Sequence, residues 1–137
     1  MFDKLLVAVD HSEHTTRVLA LARDLATLSG GEVFLLHVQE KEISRLGEFP
    51  TESSTEANEP ISSALAALRE AGVKAHGEIV IAPHGQVAKV LLSAAKKHDV
   101  AVIMMGTRGL SDLEAVLIGS TAHKVIHLAD RPVLVVR

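Results

Sequence analysis

Five short apolar runs recur along the chain with helical segments between them, and this alternation constrains the fold more than any other feature. The runs are Leu5–Val9, Val33–Val38, Val73–Ile81, Val100–Met105 and Val133–Val136. Between them, apolar residues repeat at the i, i+3, i+4 spacing of an amphipathic helix. Strands that alternate with helices form a parallel sheet covered on both faces. The sequence therefore predicts an α/β fold.

Local signals place the limits of the helices. Ser12 is a suitable N-cap for the first helix, which ends at Gly30. Pro60 suits the first turn of a helix, so the second helix is expected to begin there. The last two helices are expected over residues 87–95 and 122–129.

The strand patterns predict the order of the sheet. Leu5–Val9 and Val100–Met105 are continuously apolar, as central strands buried on both faces are. In Val73–Ile81 apolar residues alternate with polar ones, which is typical of an edge strand. Right-handed connections then give a doubly wound, five-stranded parallel sheet of order 3-2-1-4-5, with helices on both faces, in one domain spanning residues 1–137.

One stretch, residues 39–58, is rich in Glu, Ser and Thr and poor in apolar residues. A connection of about 20 residues without secondary structure is uncommon inside a compact domain, and is usually a lid, a partner loop or disordered. The composition predicts a flexible, solvated loop.

Composition excludes several classes of function. Fourteen Lys and Arg against seventeen Asp and Glu give a net charge of −3, and Trp and Tyr are absent, so no nucleic-acid partner is expected. The absence of Cys excludes disulfides and thiolate metal sites and suits a reducing compartment. No apolar run approaches the roughly 20 residues of a membrane span, and no signal peptide is evident. A cytoplasmic protein without membrane partners is therefore expected.

The strand order predicts where a ligand binds. In an open α/β sheet, ligands lie beyond the carboxyl ends of the strands at the point where the strand order reverses. For the predicted order this point lies between the first and fourth strands, whose carboxyl ends are at Asp10 and Gly106.

A glycine pattern follows the fourth strand: Gly106-Thr107-Arg108-Gly109, nine residues, then Gly119-Ser120-Thr121 at the start of the last helix. Glycines permit positive φ and let backbone N–H groups approach a phosphate. A helix N-terminus presents unpaired N–H donors and the positive end of the helix dipole, which favour an anion. The hydroxyls of Ser120 and Thr121 add donors, and Arg108 is a candidate either to pair with a phosphate or to face solvent. The alternative is that these glycines serve only turns and helix caps.

Asp10 also has two interpretations. A carboxylate would repel polyphosphate, so its ligand would be adenine, a ribose hydroxyl or Mg²⁺. Alternatively, Asp10 caps the first helix. The ligand role is favoured because Ser12 can already serve as the cap.

The eight histidines raise the question of a metal site. His11 and His14 are three apart beside the expected site, and His123 and His127 are four apart on one face of the last helix. Zinc normally needs a third ligand and oriented partners behind its histidines, and neither is evident. No metal site is therefore predicted, and His37 is expected to be a hydrogen-bonded histidine inside the sheet.

The glycine pattern resembles the nucleotide-binding signature of the universal stress protein family, in its ATP-binding subgroup. The likeness extends over the whole chain, through Leu6–Asp10 with Ser12, through Leu36–Val38, and through Pro132–Val136. The segment Ala82–Gly85 departs from the family pattern, which often has a glycine before the proline.

This resemblance implies a fold like that of the adenine-nucleotide alpha-hydrolases and a site for ATP, with or without Mg²⁺. In ATP-binding members the glycine loop holds the phosphates and ribose, and residues that end the first two strands contact the nucleoside. By position, the implied binding residues are Val9, Asp10, Val38, Met105, Gly106, Gly109, Gly119, Ser120 and Thr121. Family members also dimerise through the last strand, and Val133–Val136 is an apolar edge strand open to such pairing. The resemblance therefore implies a homodimer.

The sequence does not support membership of other protein families that share this fold class. A receiver domain needs an aspartate after the third strand, which here ends in Ile81-Ala82-Pro83. A Rossmann enzyme needs G-x-G-x-x-G after its first strand, and a P-loop NTPase needs Gly-Lys-Ser/Thr. Neither pattern is present at these places.

Three function classes remain. The first is an ATP-binding regulatory protein of the stress response, with an unknown protein partner and slow or no hydrolysis. The second is a weak ATPase or phosphotransferase, which ranks lower because no residue is evident to neutralise the transferred group or orient a nucleophile. The third is an interaction domain that binds no nucleotide. No catalytic residue is predicted.

Overall fold

The computed structural model describes residues 1–107 and 118–137. Its elements, in chain order, are β1 (Lys4–Ala8), α1 (Glu13–Ser29), β2 (Glu32–Ser44), β3 (Gly47–Pro50), α2 (Ser54–Glu70), β4 (Lys74–Pro83), α3 (Val87–His98), β5 (Val102–Gly106), α4 (Ser120–Leu128) and β6 (Val133–Val136). Within these ranges, no helix is both long enough and apolar enough to span a bilayer.

The strands form one mostly parallel sheet, so the predicted fold class is confirmed. The parallel pairs are β4 with β2, β2 with β1, β1 with β5, and β5 with β6. This sequence of pairs is the predicted order 3-2-1-4-5, in which the third, fourth and fifth strands are now β4, β5 and β6. The additional strand β3 pairs antiparallel with the end of β2, from Lys41 to Ser44.

Two apolar layers cover the two faces of the sheet. Helices α1 and α2 pack on one face, where Val18 and Leu68 meet strand residues such as Val7. Helices α3 and α4 pack on the other, where Leu91 and Val125 meet residues of the opposite strand faces. Because β1 and β5 connect to helices on opposite faces, their carboxyl ends leave an open crevice between them.

Helix α2 begins six residues before the predicted start at Pro60, so that prediction is wrong. The hydroxyl of Ser53 accepts a hydrogen bond from the backbone N–H of Glu56 at 3.2 Å, and Glu56 Oε2 accepts one from the backbone N–H of Ser53 at 2.7 Å. This capping box satisfies two backbone donors that a helix start otherwise leaves unpaired. Pro60 lies inside the helix, which gives up one backbone donor there.

Residues 39–58, predicted to be a flexible, solvated loop, contain regular secondary structure. Strand β2 continues to Ser44, β3 returns along it, and α2 starts at Ser54. Gly47 begins β3 with φ of +126°, a conformation that favours glycine. The hairpin is exposed over residues 42–50, so its polar composition reflects contact with water rather than a lack of backbone pairing.

The hairpin lies above the end of β1. Lys41 pairs with Pro50 of β3 and with Pro83 of β4 at the same time, so β3 and β4 flank opposite sides of β2. Strand β1 pairs with β2 on the same side as β3 does, and it stops at Ala8. Strand β3 therefore occupies the place beyond the carboxyl end of β1, and residues 51–53 follow it over the crevice.

The capping box provides a test of the start of α2. We expect Ser53→Ala to lower the free energy of unfolding by about 1 kcal/mol, because the Glu56 N–H loses its acceptor. Ser54→Ala, one residue later, removes a hydroxyl that makes no cap bond and should change stability little. Urea unfolding of both variants gives the comparison. Equal stability of the two variants would mean that Ser53 is not the N-cap of α2.

Candidate functional site

A cleft of about 870 Å³ opens at the carboxyl ends of β1, β2 and β5. It lies where the strand order reverses between β1 and β5, the place at which doubly wound sheets bind ligands. Its volume is within the range of small-molecule sites.

The structure brings together every predicted site residue that it describes. These residues all line the cleft: Val9, Asp10, Val38, Met105, Gly106, Gly119, Ser120 and Thr121. Arg108 and Gly109 lie outside the described residues. Sequence spacing alone could not show this convergence, because the residues come from three strands and one helix.

The two described glycines of the predicted loop lie at the end of β5 and the start of α4. Gly106 is the last residue of β5 and is paired with Val136. The backbone N–H of Gly119 donates to the carbonyl of Thr107 at 2.7 Å, which joins the end of β5 to the start of α4.

Helix α4 presents its N-terminus to the cleft. Gly119 is the N-cap, and the N–H of His123 is the first to bond its carbonyl, at 2.9 Å. Because intrahelical bonds begin there, the N–H groups of Ser120, Thr121 and Ala122 have no acceptor within the helix. All three residues line the cleft. Unpaired N–H donors and the positive end of a helix dipole favour negative charge at this end of the cleft.

Asp10 organises the entry to α1. Its Oδ1 accepts hydrogen bonds from the Ser12 backbone N–H at 2.8 Å, the Ser12 hydroxyl at 2.6 Å and the Thr15 hydroxyl at 2.7 Å. Ser12 is at the N-cap position, as predicted, but its side chain makes no cap hydrogen bond and donates to Asp10 instead. Ser12 therefore does not take over a capping role from Asp10, contrary to the prediction. Asp10 is a structural acceptor that also lines the cleft.

The wall opposite α4 is acidic. Its carboxylates come from the end of β2, from the segment after β3 and from the start of α2: Glu40, Glu42, Glu52, Glu56 and Glu59. Hydrogen bonds from Ser53, first from its backbone N–H, hold the pKa of Glu56 below its ordinary value. No Lys or Arg is among the described residues that line the cleft. The cleft thus has anion-binding donors at one end and carboxylates at the other.

Glu52 is the site residue that the sequence did not indicate. It lies in the stretch predicted to be a loop, yet its two carboxylate oxygens contact His37 at 2.5 Å and His11 at 2.7 Å. His37 is buried, with Nδ1 2.8 Å from the Val9 carbonyl, which confirms its predicted place inside the sheet. His11 therefore pairs with Glu52 beside His37 rather than with His14, its neighbour in sequence.

The chain is similar to known proteins over its whole length. Residues 1–137 match the model of the universal stress protein family. Universal stress protein YxiE of Bacillus subtilis is 32% identical, with both chains covered in full. Universal stress protein MJ0577 of Methanocaldococcus jannaschii is 30% identical, over 100% of this chain and 96% of that protein. A structure of the universal stress protein from Archaeoglobus fulgidus in complex with dAMP superposes with a TM-score of 0.77 at 25% identity, covering both chains in full.

Proposed function

The chain belongs to the universal stress protein family, and from this premise we propose that it is a regulatory protein that binds ATP in the cleft between β1 and β5. The observation that carries the proposal is the opening of the α4 N-terminus into that cleft. A role in the stress response, a cytoplasmic location and an unidentified protein partner belong to the same proposal and rest on family membership.

The phosphates would lie at α4. The N–H groups of Ser120 to Ala122 and two hydroxyls provide several donors within one helical turn, where the dipole favours negative charge. The opposite end of the cleft, with its carboxylates, would repel a polyphosphate. This asymmetry supports one orientation of the nucleotide along the cleft.

The nucleoside would lie beside β1 and β2. Val9, Val38 and Met105 supply apolar surface there for a planar base, and Asp10 and Glu40 supply acceptors for amino or hydroxyl groups. The dAMP complex of the A. fulgidus relative supports an adenine nucleotide as the ligand. Mg²⁺ fits the oxygen-rich cleft, since it commonly binds through phosphates and one or two carboxylates.

Slow hydrolysis is the expected behaviour. Phosphoryl transfer requires that charge on the transferred group be neutralised and that a nucleophile be oriented. Among the described lining residues there is no Lys or Arg to supply the charge. We rank ATP as a regulatory ligand above ATP as a substrate, with Arg108, the candidate phosphate partner, lying outside the described residues.

Ser120→Asp separates binding from folding. A carboxylate in the first turn of α4 should stabilise the helix by about 0.3–1 kcal/mol through the dipole, but should repel the phosphates. We expect ATP affinity to fall by at least about tenfold, measured by calorimetry. ATP at a hundredfold excess over the wild-type Kd should stabilise the wild type by about 2.7 kcal/mol and this variant much less.

His123→Ala is the matched control, because His123 is exposed on the same helix and does not line the cleft. Its ATP affinity should equal that of the wild type. Wild-type affinity in Ser120→Asp would contradict the placement of the phosphates.

A second experiment distinguishes ligand from substrate. With Mg²⁺ present, single-turnover hydrolysis should be much slower than the roughly 1 per second at the low end of typical enzymes. In the same preparation, ATP should slow hydrogen exchange in residues 39–53, because this segment lines the cleft and its ordering would accompany binding. Turnover of several per second would place the protein among the ATPases instead.

Among the described strands only β5 pairs with β6, which supports the proposed homodimer. Ile103 and Thr107 donate their N–H groups to the carbonyls of Pro132 and Val136. Because backbone groups alternate along a strand, those of Val133 and Val135 point away from β5, toward the open edge. A second copy of β6 could pair with them across a two-fold axis.

Val135→Pro tests this edge. It removes an outward N–H, and proline is tolerated on edge strands at such positions. We expect a folded monomer in analytical ultracentrifugation at micromolar concentration, where the wild type is a dimer. Leu134→Pro removes an N–H that faces β5 and should instead destabilise the fold. A dimeric Val135→Pro variant, or a monomeric wild type, would refute pairing through β6.

A further inference from the structure

Three side chains that offer metal-ligand atoms meet at the carboxyl end of β1, where β2 runs past it. The Nε2 atom of His37 is 2.5 Å from Oε1 of Glu52, and the Nε2 atom of His11 is 2.7 Å from Oε2 of the same carboxylate. All three donor groups lie within 4.8 Å of one another. We propose that His11, His37 and Glu52 form a binding site for a divalent transition-metal ion, independent of the proposed nucleotide binding.

The hydrogen-bond pattern of His37 requires a cation or a proton at this point. A carbonyl oxygen can only accept, so the Nδ1 atom of His37, 2.8 Å from the Val9 carbonyl, carries the ring proton. The Nε2 atom of the neutral ring then points a lone pair at the Glu52 carboxylate, which is also an acceptor. Two acceptors at 2.5 Å repel each other unless a positive centre lies between them. At this distance a proton provides that centre, and a metal ion bound by both atoms would replace the proton.

The same hydrogen bond orients His37 as a metal ligand. Histidines that bind metals usually donate their second ring N–H to a carbonyl or carboxylate, which fixes the ring and raises its basicity. His37 is 5% exposed within the sheet, so its ring is held by packing as well. This is the oriented partner that the sequence spacing of the histidines did not reveal.

The position of Glu52 is fixed by its backbone. The Gln39 side chain donates to the Glu52 carbonyl at 2.7 Å, and the N–H of Thr51 donates to the Glu40 carbonyl at 3.0 Å. Ser53, the next residue, is held in the capping box of α2.

Ligands at the 2.0–2.2 Å bond lengths of zinc are roughly 3.3 Å apart in a tetrahedron. The two nitrogen–oxygen distances, 2.5 and 2.7 Å, would each lengthen by less than about 1 Å to reach that spacing.

The ligand set selects the class of metal. Imidazole nitrogens suit Zn²⁺, Co²⁺, Ni²⁺ and Cu²⁺, whereas Mg²⁺ and Ca²⁺ prefer oxygen ligands only. Three protein ligands leave a coordination position open, as in zinc sites that also bind a small molecule. The other carboxylates on this wall of the cleft, with no Lys or Arg among its described lining residues, add a favourable field for a cation.

The test uses the full chain, free of nucleotide, and Zn²⁺ alone. We expect one Zn²⁺ per chain in calorimetry and no comparable binding of Mg²⁺. Bound Co²⁺ should give the visible d–d absorption that is typical of an ion with a low coordination number. His11→Ala and Glu52→Gln should each weaken Zn²⁺ binding by at least about tenfold. Even the loss of a residue that only hydrogen-bonds to a metal ligand typically lowers metal affinity by about that factor.

Two matched controls address other histidines. His84 lies 2.6 Å from Glu40 in the same cleft but belongs to no described group of three ligands, and His123 and His127 lie together on α4. His84→Ala and His127→Ala should therefore leave Zn²⁺ affinity unchanged. Absence of stoichiometric Zn²⁺ binding would mean that only a proton lies between His37 and Glu52. Loss of binding in a control variant, or its retention in both His11→Ala and Glu52→Gln, would equally overturn the proposal.

Discussion

The parallel pairing of β1 with both β2 and β5 is the constraint on which the rest of the structure depends. With β1 in the middle, the chain leaves β1 and β5 toward opposite faces of the sheet. The carboxyl ends of these strands cannot both be covered by the same connection, so a cleft remains between them. The polar and charged residues of the cleft gather there because strand ends, helix starts and loops converge at this edge of the sheet.

The extension of β2 beyond the end of β1 shapes that cleft. The extra length of β2 pairs with β3, which places the following residues above β1 rather than out in solvent. Glu52 thereby reaches His11, which follows β1, and His37, which lies within β2. The backbone pairing of this mainly polar hairpin thus positions the residues that form one wall of the site.

The two ends of the cleft have opposite electrostatic character. The N-terminus of α4 favours anions, and the carboxylates near β3 and α2 favour cations. A nucleotide with its phosphates at α4 and a metal ion at the histidines are therefore compatible in charge. Asp10 lies between the two ends, where its bonds to Ser12 and Thr15 make it part of the scaffold as well as of the surface.

The sequence by itself determined the fold class, the strand order, the position of the cleft and the helix terminus that faces it. These follow from apolar periodicity, glycine positions and the handedness of crossovers, all of which are local or general rules. Only the tertiary structure decided the start of α2, the hairpin over 39–50 and the bonding of Asp10, since polar composition looks the same in a loop and in an exposed hairpin. It alone decided the meeting of His11, His37 and Glu52. This contact depends on the pairing of β2 with β3, and the exposed, polar residues of that hairpin carry no buried face from which the pairing could be predicted.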